Sequence, residues 1–327
     1  MTKKILITGA SGFIGRVLVS TLAEKNYKCI ASLFDKKDSQ VFTQHTLDKC
    51  EISVVGDINF ETDWKEILKE VDVIIHLAAR VHIMNDSESD SLALAAFRIV
   101  NVEGTKRLVE LAVAAKVKRF VFISSLHVNG SVSSCAPFSE EDKPNPLSPY
   151  AVSKWEAEQY LNDITKKTNM EIVIIRLPLV YGPGVKANFL SLLNLTKIGL
   201  PLPVGLLNSK RSIISVNNVV DFIICCIEHP RAANETFLIS DDNDISTKEL
   251  FVRLVKLFGK RPLLLPIPPK ILYILGTLLG KREIVDRLCA PLQVNITKAK
   301  TLLDWKPIQT LDNGFKETVE WYKKEHL

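Results

Sequence analysis

The chain predicts an α/β fold: a Rossmann-type, doubly wound parallel sheet with a smaller C-terminal α/β region. Three observations carry that prediction. Lys3 to Gly15 reads as an apolar strand, a glycine-rich turn and a helix start. Small residues in such a turn let the backbone approach a pyrophosphate, and the helix N-terminus favours its negative charge. Apolar runs then alternate with helix-patterned segments through the first half of the chain, which calls for parallel strands covered on both faces. Finally, Tyr150-Ala-Val-Ser-Lys154 sets a phenol and an ammonium one turn apart on a helix face.

The bulk properties agree. The 327 residues are 46% hydrophobic and 24% charged, enough for one or two domains with a large core. A net charge of +5, with lysines spread along the chain, gives no nucleic-acid footprint and suits anionic small molecules. The six cysteines, at 29, 50, 135, 225, 226 and 289, have no metal-ligand spacing, so no metal is expected. Neighbours such as Cys225 and Cys226 do not form a relaxed disulfide. Buried thiols in a reducing compartment are the reading, and no signal peptide precedes the first strand. A cytoplasmic location is expected. The most membrane-like run, Ile271 to Leu279, falls far short of the ~20 residues of a spanning helix. It reads as a core helix, with a peripheral patch as the alternative, and no transmembrane segment is expected.

In chain order, strands are expected at Ile5–Thr8, Lys28–Leu33, Ile52–Val55, Val71–Leu77, Arg119–Ser124 and Glu171–Arg176. Continuous apolar character marks the first as buried on both faces. Helices are expected at Arg16–Lys25, Glu61–Lys69, Leu92–Ala115 (interrupted at Asn101-Val-Glu-Gly104) and Tyr150–Lys166. Proline and glycine loops then change the texture, at Tyr181-Gly-Pro-Gly184, Gly199 to Pro203 and Pro262 to Pro269. The division is therefore 1–177 for the dinucleotide-binding part and 178–327 mainly for a substrate-binding region, with a strand at Thr236–Ser240 returning to the first sheet.

These residues resemble the extended short-chain dehydrogenase/reductase superfamily. The matching pieces are Gly9-x-x-Gly12-x-x-Gly15, Asp57-Ile58, His76-Leu-Ala-Ala-Arg80, Asn101-Val-Glu-Gly-Thr105, Ile123-Ser-Ser125, Tyr150-x-x-x-Lys154 and Arg176-x-x-x-x-Tyr-Gly-Pro183. Leu77 to His82, Ser124 to Gly130, Lys210-Arg211-Ser, Asn217 to Asp221 and Leu292 to Lys298 further resemble a bacterial UDP-glucose 4-epimerase-like subgroup. Some members of that subgroup reduce UDP-4-keto-6-deoxy-N-acetylglucosamine to UDP-N-acetylquinovosamine. The resemblance implies a UDP-sugar substrate and a homodimer built on a four-helix bundle of the Leu92–Ala115 and Tyr150–Lys166 helices.

The resemblance also implies roles. Ser125, Tyr150 and Lys154 are the catalytic candidates. A free phenol has a pKa of about 10, and the charge of Lys154 is expected to favour the phenolate of Tyr150. A hydroxyl at Ser125, with Ser124 as the fallback, both donates to and accepts from the reacting oxygen. Gly9, Gly12 and Gly15 approach the pyrophosphate while Phe13 and Ile14 offer backbone donors. Asp57 and Ile58 face adenine, Leu77, Ala78, Ala79 and Arg80 the ribose and nicotinamide, and Pro178 the nicotinamide end. Asp35 lies at about the ribose-binding spacing, one or two places late, and Lys36 and Lys37 suit a 2′-phosphate instead. The residues leave NAD and NADP both open.

For substrate, Asn188, Pro203 and Arg211 occupy the nucleoside diphosphate positions of the resemblance, and a guanidinium fork pairs well with phosphate. Asp221 reads as a charge opening a helix. His82, His127 and His229 read as structural, with His127, two residues past Ser125, able to face the pocket. Related 4,6-dehydratases carry an Asp-Glu pair after the hydroxyl residue, where this chain has Leu126-His127, so dehydration is disfavoured. The expectation is an NAD(P)-dependent oxidoreductase acting at sugar C4. Its first form reduces a UDP-4-keto-6-deoxy-N-acetylhexosamine for surface polysaccharide or lipopolysaccharide biosynthesis. Its second is an isomerase, a UDP-glucose or UDP-N-acetylglucosamine 4-epimerase. Reduction of a non-nucleotide ketone and a nonenzymatic cofactor sensor are the weaker readings.

Overall fold

The computed structural model describes residues 3–81, 90–133 and 135–326. Its centre is a seven-stranded, wholly parallel sheet of β1 (Lys4–Thr8), β2 (Lys28–Leu33), β3 (Cys50–Val54), β4 (Val73–His76), β5 (Arg119–Ser125), β6 (Glu171–Leu177) and β10 (Glu235–Leu238), ordered β10-β6-β5-β4-β1-β2-β3. Strand order reverses beside β1, so the C-terminal ends of β1 and β4 part and open a crevice.

The alternation of side chains along each strand supplies both helical layers. Ile5 and Ile7 point to one face, against α1 (Phe13–Glu24) and α7 (Val216–Glu228). Leu6 and Ile74 point to the other, against α4 (Thr105–Ala114) and α5 (Pro149–Lys167). All of β1 from Ile5 to Thr8 is fully buried.

The interrupted long helix forms as α3 (Asp90–Arg98), a π-helical turn at Ile99–Gly104, and α4. The helix expected at Glu61–Lys69 does not form; the segment is a series of turns. Asn59 and Asp63 accept hydrogen bonds from the backbone N–H groups of Glu61 and Lys65 at 2.7 and 3.0 Å, local bonds that compete with a helix. Trp64 and Leu68 still plug the core beneath.

The C-terminal part adds two short strand pairs, β7 (Leu179–Tyr181) with β9 (Ile213–Ser215) and β8 (Lys210–Arg211) with β11 (Ile245–Ser246). Helices α6 (Ala187–Ile198), α8 (Thr247–Leu257), α9 (Pro269–Leu278), α10 (Arg282–Cys289), α11 (Thr297–Leu303) and α12 (Leu311–His326) complete it. Tyr181 anchors this lobe. Its ring packs against Phe189 and Phe315, and its hydroxyl donates to buried Asp241 at 2.6 Å. Asp221 does not open α7 but lies in its second turn, where it accepts from Trp305 Nε1 at 2.8 Å. Of the cysteines, Cys135 is exposed and Cys225 half-buried, contrary to a uniform set of buried thiols.

The glycine turn is sterically closed. Gly9 has φ +65°, and a Cβ there would sit 2.7 Å from the Ala78 nitrogen. A Cβ on Gly15 would lie 2.2 Å from the Gly9 carbonyl oxygen. Gly15→Ala should therefore force the turn open, weakening dinucleotide binding by at least about tenfold, roughly the 1.4 kcal/mol that separates a factor of ten, as read by calorimetric titration.

Candidate active site

The first support of the site is a chain of buried hydroxyls at the crevice. The Ala78 N–H donates to Thr8 Oγ1 at 3.2 Å, Thr8 Oγ1 lies 2.7 Å from His76 Nδ1, and His76 Nε2 lies 3.1 Å from Thr105 Oγ1. Thr105 donates its own hydroxyl proton to the Asn101 carbonyl at 2.8 Å. Thr105 therefore accepts from His76 Nε2–H, and Thr8 donates to His76 Nδ1, a neutral imidazole. Burial, aided by the nearby Lys154 charge, pushes the pKa of His76 down to about 3. The lock joins β1, β4 and α4 at the point where the strand order reverses.

Asn101, in the π-helical turn, is the second support. Its Oδ1 accepts from the Arg80 N–H at 2.8 Å, and its Nδ2 donates to the Arg80 carbonyl and to Ser153 Oγ at 3.1 and 3.0 Å. Ser153 in turn donates to the Tyr150 carbonyl. One buried amide thus fastens the loop after β4 to the first turn of α5, and π-bulges are frequent at such places.

Tyr150 and Lys154 occupy the first two turns of α5. Ser148 caps that helix, accepting from the Ala151 N–H, and Pro149 follows at its first position. The Tyr150 ring meets the Phe97 ring edge-on at 5.8 Å, and the Arg80 guanidinium lies 5.9 Å from the centre of the same Phe97 ring. Lys154 is buried with Nζ 3.8 Å from the centre of the Phe122 ring. Burial pushes Tyr150 up to about 12 and Lys154 down to about 7. The expected pull of Lys154 on the phenol is thus outweighed here by desolvation of both groups.

One turn beyond Lys154 stands Glu158, fully buried, which raises the affinity of Lys154 for its proton. Its carboxylate accepts from Arg176 Nη2 at 2.6 Å and from the Ser124 hydroxyl. Arg176 also donates to Asn129 Oδ1 at 2.9 Å. Strand alternation then separates the two serines: Ser124 faces this buried network, and Ser125, opposite, accepts from the His127 N–H at 3.2 Å. The geometry favours Ser125 over Ser124.

On the cofactor side, Gly12 starts α1 without any side-chain cap, leaving Phe13 and Ile14 at an open helix N-terminus. Ser32 Oγ, at the end of β2, is buried with no partner among the described residues. Asp35 caps the short helical turn Lys36–Val41, accepting from the Lys37 N–H at 2.9 Å, so one of its oxygens is already engaged. Lys36 and Lys37 are exposed on that turn, Asp57 is exposed, and Ile58 packs on Gly104. Pro178 is buried between β6 and β7.

On the substrate side, His127 comes close to Arg211 and Arg287. Burial first, and then these two guanidinium groups, hold its imidazole below the usual range. Arg211 Nη1 donates to the Arg287 carbonyl. Asn188 lies exposed on the first turn of α6, and Pro203 is half-buried in the loop that bridges Leu202 to Leu264. His229 caps the turn after α7, accepting from the Arg231 N–H, and is structural. His82 lies outside the described residues. The sequence reading missed the roles of His76, Asn101, Glu158 and Arg287. Glu158 was signalled by its spacing, four residues past Lys154 and eight past Tyr150; nothing local marked Arg287.

A dinucleotide crevice, a tyrosine and lysine on one helix, and a serine at the adjoining strand end define an enzyme of the extended short-chain dehydrogenase/reductase class. The chain belongs to the NAD dependent epimerase/dehydratase family, whose profile matches residues 5–240. It is 45% identical over 325 residues to the UDP-glucose 4-epimerase of Vibrio cholerae, covering 98% of this chain and 95% of that one. It is 27% identical over 337 residues to the N-acetyl-alpha-D-glucosaminyl-diphospho-ditrans,octacis-undecaprenol 4-epimerase of Escherichia coli O157:H7, covering 98% and 96%. Among solved structures, it is similar to a Thermotoga maritima UDP-glucose 4-epimerase with UDP-glucose (TM-score 0.75, 24% identity, 98% and 99% covered). A Bacillus cereus UDP-glucuronic acid 4-epimerase with UDP-glucuronic acid and NAD gives 0.79, 24%, and 99% and 100% covered. At that identity the likeness speaks for the fold. NAD, for which the family is named, settles the choice between the two nicotinamide cofactors. The closed glycine turn, the open helix start and the partnerless Ser32 hydroxyl fit it. Among the described residues, no helix is long and apolar enough to cross a membrane.

The Glu158 carboxylate supports the charge of Lys154. Glu158→Gln keeps the side-chain shape and one accepting oxygen toward Arg176 while removing the negative charge. Lys154 should then lose its proton at lower pH, because an adjacent anion stabilises the ammonium. The alkaline limb of kcat/KM against pH is expected to move acidward by about 1 unit.

Proposed function

We propose that the protein is a UDP-hexose 4-epimerase that uses NAD, with UDP-glucose and UDP-galactose, or their N-acetylated counterparts, as the interconverted pair. The observation that carries the proposal is the 45% identity, over nearly all of both chains, to the Vibrio cholerae enzyme. This reverses the order drawn from sequence, in which reduction of a UDP-4-keto-6-deoxy-N-acetylhexosamine came first. Ser125, Tyr150 and Lys154 serve both reactions, and similarity of this extent favours epimerisation.

In this reading Gly9, Gly12, Phe13, Ile14 and Gly15 hold the pyrophosphate of NAD, and Asp35, Asp57 and Ile58 flank its adenosine. Leu77 to Arg80, Lys154 and Pro178 border the nicotinamide ribose. Held there, NAD would supply the hydride acceptor and donor for sugar C4. Tyr150 takes the C4 hydroxyl proton and gives it back. Its buried phenol holds a proton tightly, so it needs a nearby cation to act as a base near neutrality. Lys154 is that cation, and Glu158 keeps it charged. The Ser125 hydroxyl follows the same oxygen, donating to the ketone and accepting from the alcohol. Arg211, with His127 and Arg287 beside it, binds the diphosphate, and Asn188 and Pro203 border the nucleoside. Leu126 and His127 supply no carboxylate pair, so elimination of water is not part of the cycle. Pairing of two copies through α3, the π-helical turn, α4 and α5, where Leu92 and Ile99 are exposed, completes the proposal.

Purified protein should convert UDP-galactose to UDP-glucose without added nicotinamide, as followed by chromatography of the nucleotide sugars. Failure to do so, with stoichiometric oxidation of reduced cofactor on a 4-keto sugar, would restore the reductase reading. Tyr150→Phe should lower kcat by at least about 100-fold while the purified protein keeps its NAD; retained turnover would show that another group moves the proton.

A further inference from the structure

Helix α9 presents two apolar stripes, and only one is covered. Leu272, Tyr273 and Gly276 face inward, packing with Val285 and Leu288 of α10 on a core of Leu202, Val204, Leu207 and Phe251. The outward stripe is Ile271, Ile274, Leu275, Leu278 and Leu279, the i, i+3, i+4, i+7 and i+8 spacing of one helix face. Ile274, Leu278 and Leu279 are 60%, 77% and 70% exposed. Leu263 and Leu265, in the segment leading to the helix, are also exposed. Single exposed leucines need no explanation, but a continuous stripe of this length does.

The charges around the stripe identify what covers it. Lys270 precedes it, Lys281 and Arg282 follow it, Lys260 and Arg261 stand before the approach segment, and all five are exposed. From Leu250 to Arg282 the chain contains no aspartate or glutamate. We propose that the outer face of α9 docks on an anionic lipid bilayer, its leucines and isoleucines entering the acyl boundary while the flanking lysines and arginines meet the headgroups. The helix has 10 residues, about 15 Å at 1.5 Å per residue, half the hydrocarbon thickness. It therefore lies in the membrane surface and does not cross it. A second copy of the chain is the poorer occupant. A two-fold contact through this face would bring Lys270, Lys281 and Arg282 of both copies together, three cations against the single adjoining acid, Glu283. Docking here also places the Arg211–Arg287 cluster one helix away from the bilayer, because α10 carries Arg287 and packs on α9.

The test is flotation of the full-length protein with vesicles of phosphatidylcholine and phosphatidylglycerol, against vesicles of phosphatidylcholine alone. The protein should rise with the anionic vesicles only and be released by high salt. The double variant Ile274→Asp, Leu278→Asp should reduce the floated fraction at least about tenfold, the shift expected when buried apolar contacts are lost. Lys281→Gln with Arg282→Gln, which leaves the exposed leucines and isoleucines of the stripe in place, should weaken anionic binding while keeping the melting temperature. No flotation of the parent protein, equal flotation of all variants, or a dimer in sedimentation equilibrium that the aspartate variant splits would overturn the proposal.

Discussion

Glu158 is an ionised side chain with no exposed surface, held by Arg176, itself 4% exposed, and by Ser124. Removing a single partner of such a pair costs about 3–5 kcal/mol, because the other charge stays buried alone. That constraint fixes three elements at once: β5 through Ser124, β6 through Arg176 and α5 through Glu158. With Ser124 turned into the pair, strand alternation obliges Ser125 to face the other way. With Glu158 turned inward on α5, Lys154 and Tyr150, four and eight residues earlier, share its face. The placement of all three catalytic candidates follows from one buried carboxylate.

The same burial works against the chemistry proposed for those candidates. Desolvation disfavours the ammonium of Lys154 and the phenolate of Tyr150 alike. Protonation at this site is therefore set by the groups around it more than by either residue's ordinary acidity. Glu158 acts in favour of the Lys154 charge. His76 would act against it if it were protonated, since two cations would then share one dry corner. Thr8, Thr105 and burial keep that imidazole neutral through the working range, so the lock that shapes the crevice also removes a competing positive charge.

The fold was legible because its signals are local. Each central strand is a short apolar run buried on both faces, and the glycine turn tolerates no side chain at Gly15. The Glu61–Lys69 segment misled because Trp64 and Leu68 have helical spacing, whereas Asn59 and Asp63 take the backbone donors that a helix needs. Tyr150 and Lys154 are singled out by their spacing, and Ser125 by its place in the family resemblance at a strand end. Asn101 could not be, since its partners Arg80 and Ser153 lie 21 and 52 residues away. Arg287 reaches Arg211 across 76 residues. Interactions of that range leave no periodic trace, so the substrate side of the site was less readable than the cofactor side.

Helix α9 shows the limit of reading hydrophobicity as burial. A helix apolar on every side belongs in a core or a membrane span, and Ile271–Leu279 carries no charge to suggest otherwise. The inward stripe satisfies the core reading, and Gly276 is the position that lets α10 close on it, since a Cβ there would stand 2.5 Å from Val285. Its second stripe meets no such partner among the described residues. The apolar composition of α9 thus answers to two different surroundings, one supplied by the C-terminal lobe and one from outside the chain. The basic residues at both ends of the helix outnumber the acids beside them, Glu283 and Asp286, and so favour a negatively charged partner.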